Sequence, residues 1–238
     1  MGRIVISENV TLDGVAEDPS GVEGFRLGGW VGRVGDRGRD GAAKVLVDEA
    51  RRAEAQLLGR RTYEFLAARW PSRSGALADR LNSMPKYVVS STLEDLEWKN
   101  SIVLNGDVVS AVSKLRQDLN GEIVVAGSLQ LVHTLMEHDL VDELRLMVYP
   151  VVLGAGNRLF VETNDTKSTA LLNIRTVDDL AYLTYEVVRA ATVRPAELNP
   201  PLPRPSASRA SAPLTPAKAV ATVKEGSVRH TRRGAGTS

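Results

Sequence analysis

The chain of 238 residues, 43% hydrophobic and 25% charged, is long enough for one domain with a sizeable core, or at most two small ones. Its net charge of +1 hides an asymmetry: residues 191–238 carry eight Lys/Arg against two Asp/Glu, whereas residues 1–190 carry 22 basic and 27 acidic groups, which argues against a nucleic-acid footprint on the body. The absence of cysteine excludes disulfides, thiolate nucleophiles and cysteine-held metal centres. With no signal-like start and no apolar run near the roughly 18 residues of a membrane helix, a cytoplasmic protein without membrane partners is expected.

Arg3 to Val10 reads as a buried first strand, followed by a turn at Thr11-Leu12-Asp13-Gly14-Val15. Between Gly14 and Gly41 nine glycines and few helical signals predict a mobile, solvated loop of the kind used as a lid. Trp30 stands apart in it as a side chain expected to dock on apolar surface. Asp40 to Ala55 then reads as an amphipathic helix, with Val45, Leu46, Ala50 and Ala53 inward and Lys44, Asp48, Arg51, Arg52 and Glu54 largely outward.

In Gln56-Leu57-Leu58-Gly59-Arg60-Arg61-Thr62-Tyr63-Glu64 a buried strand ends at a glycine, and Thr62 opens a helix over Tyr63 to Trp70. Unpaired N–H groups, a hydroxyl and two guanidinium groups then share one helix N-terminus, a combination that attracts phosphate. The same residues also suit an ordinary capped turn with solvated arginines. A short helix around Ala76 to Asn82 and a strand from Lys86 into Ser90-Ser91-Thr92 follow, then a strand at Ser101 to Asn105 and a helix at Val108 to Leu119. Ser83-Met84-Pro85-Lys86 matches a serine-hydrolase pattern, but Pro85 leads straight into a strand, and the match is read as chance.

Glu122-Ile123-Val124-Val125-Ala126-Gly127-Ser128 repeats the strand-to-helix logic, with Gly127 permitting close backbone approach, Ser128 as cap or ligand and a helix running through Glu137. Two such termini favour a phosphate-bearing ligand. A long strand, Arg145 to Leu153, stops at Gly154-Ala155-Gly156, which lacks the third glycine of a dinucleotide fingerprint. Ala170 to Val177 and Ala181 to Arg189 suggest a hairpin across Asp178-Asp179. His133 and His138, five apart on a helix, make a histidine metal site improbable, and no metal is expected. From Ala191 the chain turns Pro/Ala/Ser/Arg-rich, with seven of the eleven prolines between Pro195 and Pro216, and is read as a disordered tail over residues 191–238.

Ser7 to Gly14, Leu58-Gly59-Arg60-Arg61-Thr62-Tyr63-Glu64, Lys86 to Ser90, Ala126-Gly127-Ser128, Leu140 to Leu144 and Pro150 to Gly154 occur in an order that resembles the dihydrofolate reductase-like superfamily. Within it they are most similar to the branch of the RibD C-terminal reductase domain and its stand-alone homologues, over about residues 2 to 189. The resemblance implies an α/β, three-layer fold over residues 1–190, with a mixed, mostly parallel central sheet and helices on both faces. It implies NADPH as cofactor, a small-molecule substrate and a homodimer. Carried over, Gly59, Arg60, Arg61 and Thr62 would hold cofactor phosphates, Ser90 and Ser91 would lie near the adenosine 2′-phosphate, and Ala126, Gly127 and Ser128 would take the pyrophosphate. Gly14, Trp30 and Gly154 would line the substrate pocket. Asp13, Asp48 and Glu49 are the proton-donor candidates for reduction of a C=N or C=O bond. A non-catalytic NADP(H)-binding module is the competing expectation.

Overall fold

The computed structural model describes residues 1–189; the tail expected over 191–238 lies outside them. The elements are β1 (Arg3–Thr11), α1 (Asp36–Arg52), β2 (Ala53–Gly59), α2 (Arg60–Ala67), α3 (Ala76–Ser83), β3 (Lys86–Val89), β4 (Ser101–Leu104), α4 (Val108–Asp118), β5 (Glu122–Val125), α5 (Leu129–Glu137), β6 (Glu143–Tyr149), β7 (Ser168–Val177) and β8 (Leu180–Val188). The strands form one sheet in the order β4-β3-β2-β5-β1-β6-β8-β7. Every pairing from β4 to β6 is parallel, while β8 runs antiparallel to both β6 and β7. This is the three-layer α/β architecture. No helix among the described residues is long and apolar enough to cross a membrane.

Strand periodicity explains the layers, because alternate side chains leave opposite faces. Ile4, Ile6 and Val10 of β1 join Leu57, Ile123 and Val125 beneath Val112 and Leu115 of α4 and Leu131, Val132, Leu135 and Met136 of α5. Val5, Leu58, Val88 and Val124 face the other way, under Ala50 of α1, Tyr63 of α2 and Leu81 of α3. A third cluster packs Ala42 and Val45 of α1 on Met147, Tyr149, Leu180 and Tyr182.

Three expectations are corrected. Helix α1 starts at Asp36 and stops at Arg52, because Ala53 to Gln56 are drawn into the sheet against β5 through a register shift. Its buried face is Ala42, Val45, Glu49 and Ala50, spaced as one helical stripe, and Leu46 is exposed. The segment from Gly14 to Gly35 is pinned by internal hydrogen bonds, although residues 20–24 are exposed. Its carboxylate Asp18, 3% exposed, accepts hydrogen bonds from the Val22 and Phe25 N–H groups at 2.9 and 3.1 Å, and its carbonyl accepts from Gly21 and Gly29. Trp30 is fully buried, its indole N–H donates to the Glu17 carbonyl at 2.9 Å, and its ring meets Tyr149 edge-on at 5.3 Å. A single buried carboxylate thus gathers the backbone of this segment around itself. Helix α2, finally, opens at Arg60 rather than at Thr62.

At the N-terminal edge of the sheet Arg145 binds Glu122 through both terminal nitrogens, at 2.8 and 2.6 Å, and Glu143 through Nε at 2.6 Å, while Arg3 reaches Glu143 at 3.0 Å. These bonds join β5, β6 and β1 below the C-terminal edge. Burial raises the Glu122 pKa, but the Arg145 hydrogen bonds and charge outweigh it and hold the carboxyl below its usual value. That stabilisation is present above the ordinary glutamate pKa of about 4.3 and is lost as pH falls through the depressed one. Arg145→Met should cost about 3–5 kcal/mol in urea unfolding at pH 7, with a smaller loss once pH has fallen through the depressed Glu122 pKa.

Candidate functional site

The chain leaves β1 toward α1 on one face and β5 toward α5 on the other, so a crevice opens between the C-terminal ends of these adjacent strands. Strand β5 stops at Val125, paired with Ile6, whereas β1 runs on as Ser7–Thr11 against β6 alone. The starts of α2 and α5 stand beside this notch, after β2 and β5.

The two helix starts are bonded to each other. The Gly59 N–H donates to the Ser128 hydroxyl and the Ser128 N–H donates to the Thr62 hydroxyl, both at 2.9 Å. Gly127 and Ser128 have left-handed backbones, at φ 63° and 58°. For Ser128 that is strained, and the reciprocal bonds hold it. A Cβ on Gly127 would lie 3.0 Å from Thr62 Cγ2 and 3.1 Å from its hydroxyl, so only glycine allows this approach. Neither helix has a side-chain cap, which leaves first-turn N–H groups to solvent or a ligand. Arg60 and Arg61 are exposed at the same rim, and Arg60 comes no closer than 3.9 Å to Glu64. Gly59, Thr62, Ala126, Gly127 and Ser128 are thus gathered into one cradle. Ser90 uses its hydroxyl to accept from the Thr92 and Leu93 N–H groups, at 3.2 and 3.0 Å, and Ser91 is exposed beyond β3.

The carboxylates separate by environment. Asp13 accepts from the Thr11 hydroxyl at 2.7 Å, the Leu153 N–H at 3.2 Å and the Gly154 N–H at 2.8 Å, tying the loop after β1 to the loop after β6. The Thr11 bond, followed by the backbone bonds from Gly154 and Leu153, lowers its pKa to about 2. Ionised this far below neutrality, Asp13 is better suited to tying the two loops together than to donating a proton. Asp48 lies on the outer face of α1, 3.6 Å from Arg51 and exposed, so it is removed from the crevice altogether. Glu49 is the inward neighbour, 3% exposed, accepting from the Ser7 hydroxyl at 2.6 Å and from the Tyr182 hydroxyl. Burial, then the Glu49 charge, pushes the Tyr182 phenol well up. Gly14 and Gly154 join Asp13 at the rim, with left-handed φ of 78° and 72°. Trp30 does not line a pocket; it is enclosed beneath Tyr149.

Sequence reasoning missed Glu8. It follows Ile4 and Ile6 on the inward face of β1, yet carries a carboxyl 9% exposed whose Oε1 has no hydrogen-bond partner. Burial raises its pKa well above the usual value, partly offset by the Gly127 N–H. The signal was in the alternation, since a glutamate takes an apolar turn in the series Ile4, Ile6, Glu8, Val10. On the α5 side a cavity of about 730 Å³, lined by His133, Met136, Leu144, Leu183 and Tyr185 among others, includes none of the expected site residues. Nor do Ser83 and Lys86 pair: the buried Lys86 ammonium donates to the carbonyls of Asn82, Met84 and Lys99. Gly127→Ala should destabilise the protein by about 1–2 kcal/mol through its left-handed backbone alone, measured as a lowered urea midpoint, with the Thr62 contact adding to the loss.

The geometry can be set beside known proteins. A family model for the RibD C-terminal domain matches residues 3–182. The uncharacterised protein YyaP of Bacillus subtilis is 27% identical over 179 residues, covering 73% of this chain and 88% of its own. A protein of Shewanella sp. PV-4 named for riboflavin biosynthesis shares the fold with a TM-score of 0.62 at 21% identity, over 79% of this chain and 99% of its own. Dihydrofolate reductase from Enterococcus faecalis, solved with NADP(H), shares it with a TM-score of 0.50 at 16% identity, over 78% of this chain and 96% of its own. The chain belongs to the RibD C-terminal domain family, with a dihydrofolate reductase-like fold.

Proposed function

We propose that this protein is an NADPH-dependent reductase acting on a C=N or C=O bond of a small heterocycle, either a ribosylamino-pyrimidine phosphate, as in riboflavin biosynthesis, or a pterin-like compound. The observation that carries this reading is the pair of bonded, uncapped helix starts at the crevice, with Arg60 and Arg61 beside them. A dinucleotide with three phosphate groups fits that donor set: N–H groups and helix dipoles suit the pyrophosphate, and guanidinium groups suit the 2′-phosphate. When bound, the nicotinamide supplies the hydride. The chain's own part is to hold the phosphates at Arg60, Arg61, Thr62 and Ser128, to pin the rim through Asp13, and to wall the α1 side through Ser7, Glu49 and Tyr182.

The competing reading, a binding module without catalysis, draws support from the carboxylates. Asp13 is held ionised, Asp48 faces solvent, and both oxygens of Glu49 are already hydrogen-bonded. In that reading nucleotide binds but no substrate is reduced.

Fluorescence titration of the full chain separates these readings from neither being correct. NADPH should bind in clear preference to NADH, and Arg60→Ala with Arg61→Ala should weaken NADPH by about 1–3 kcal/mol, the loss expected for hydrogen bonds to charged groups, with little effect on NADH. NADPH oxidation in the presence of pyrimidine or pterin substrates would then establish the reductase, and binding without turnover would favour the module. No binding of either nucleotide would overturn both.

A further inference from the structure

We propose that the bare part of the sheet on its α5 face, formed by β7, β8 and the segment around Phe160, is the docking surface for a second copy of this chain. The proposal does not rest on the NADPH reading. Residues paired across an antiparallel ladder share a face, and here Leu171 pairs with Tyr185 and Ile174 with Leu183. Leu183 and Tyr185 pack against the cluster beneath α4 and α5, which puts Leu171 and Ile174 on that same face. The two faces of the hairpin fare differently. On the other face Val177, Leu180 and Tyr182 lie under α1, which comes so near that a Cβ on Gly41 would stand 2.5 Å from Val177 Cγ1. On the α5 face, among the described residues, the helical layer ends over β6, and Leu171 and Ile174 are left 53% and 62% exposed.

An antiparallel pair can leave one face to water, but polar residues then occupy it. Here leucine and isoleucine do, and Phe160 and Val161 beside them are also about half exposed. Between α5 and this ridge runs the groove of about 730 Å³, walled by Met136, Phe160 and Val161 and floored by Leu144, Leu183 and Tyr185. Four side chains of this size at half exposure leave on the order of 400 Å² of apolar surface. A stable dimer buries about 800 Å² per partner, a little over half of it apolar. The ridge and the walls of the groove together meet that requirement.

The face, rather than the free edge of β7, makes the contact. A register shift between Leu171 and Asn173 puts a bulge in this edge strand, which blunts pairing with another strand. The arrangement of the face suits a copy of itself. Its ridge at Leu171 and Ile174 lies beside its own groove, so a two-fold axis near β8 sets the ridge of each copy into the groove of the other. A charge close to a two-fold axis meets its own image and is repelled. The paired positions on this face, from Thr169 and Val187 to Thr176 and Ala181, carry no charge. Charges stand at the groove instead, with mixed signs, at Glu137, Glu162 and Lys167, as a polar rim requires.

Sedimentation equilibrium of the full chain tests this. Wild type at micromolar concentration should show twice the single-chain mass of 25.7 kDa. Leu171→Glu with Ile174→Glu, which sets carboxylates in the contact, should show the single-chain mass, with far-UV circular dichroism and thermal unfolding establishing that it is folded. Ile102→Glu, at an equally exposed apolar position on β4 at the opposite edge of the sheet, should remain dimeric. The chain has no cysteine, so a second measurement uses variants that keep the face apolar. Ile174→Cys should give covalent dimers with a flexible bismaleimide, and Ile102→Cys should not; this result decides the matter if the glutamate variant fails to fold. A single-chain mass for wild type, a folded Leu171→Glu/Ile174→Glu variant that stays dimeric, or equal cross-linking at the two cysteine positions would overturn the proposal and leave the proposed function standing.

Discussion

Two hydrogen bonds run in opposite directions between the starts of α2 and α5, and the rest of the crevice is arranged around them. Through them the ends of β2 and β5 are held at a fixed spacing, although the chain between them makes a long excursion through β3, β4 and α4. They also maintain the left-handed backbone of Ser128, which a serine does not adopt without cost. Because the strain is met by contacts within the protein, the cradle is formed before any ligand arrives. A ligand that fits it avoids the ordering cost that a flexible loop would impose.

The two sides of β1 at the crevice treat a glutamate in opposite ways. On the α1 side Glu49 is enclosed but satisfied, with hydroxyl groups from β1 and β8 on its two oxygens. On the α5 side Glu8 is enclosed and left with an idle oxygen. Burial alone costs free energy in both cases, and only the partners differ. Glu49 therefore reads as part of the frame, a link between α1 and the sheet, whereas Glu8 is buried with one oxygen unpaired.

Much of the site was legible in the sequence because its parts are local. Gly59-Arg60-Arg61-Thr62 and Ala126-Gly127-Ser128 declare themselves by turn chemistry and by the apolar strands before them, and both fall at helix starts as expected. Local pattern does not say that these stretches touch across 66 residues or more, so the bond from Ser128 to Thr62 could not be foreseen. Asp13 stood out in the sequence as a proton-donor candidate, but its three donors come partly from the far loop at Leu153 and Gly154, which local pattern does not reveal. Asp48 and Glu49 are adjacent in sequence and about 100° apart on a helix, so one faces Arg51 in solvent and the other the sheet. Asp142 shows that a shared motif need not be a site: it binds the Ile4 N–H at 2.8 Å and Arg116 at 2.9 Å, well away from the cradle. The glycine-rich segment misled because composition reports freedom of the backbone and is blind to a buried anchor such as Asp18.

The hydroxyl that completes the Glu49 environment comes from Tyr182, 133 residues further along the chain. Strand β8 reaches its place only by pairing antiparallel with β6, after every parallel crossover has been made. During synthesis, α1 and the early strands emerge long before the partner that satisfies Glu49. The α1 wall of the crevice thus depends on a contact of very high sequence separation, the kind whose loop closure slows folding.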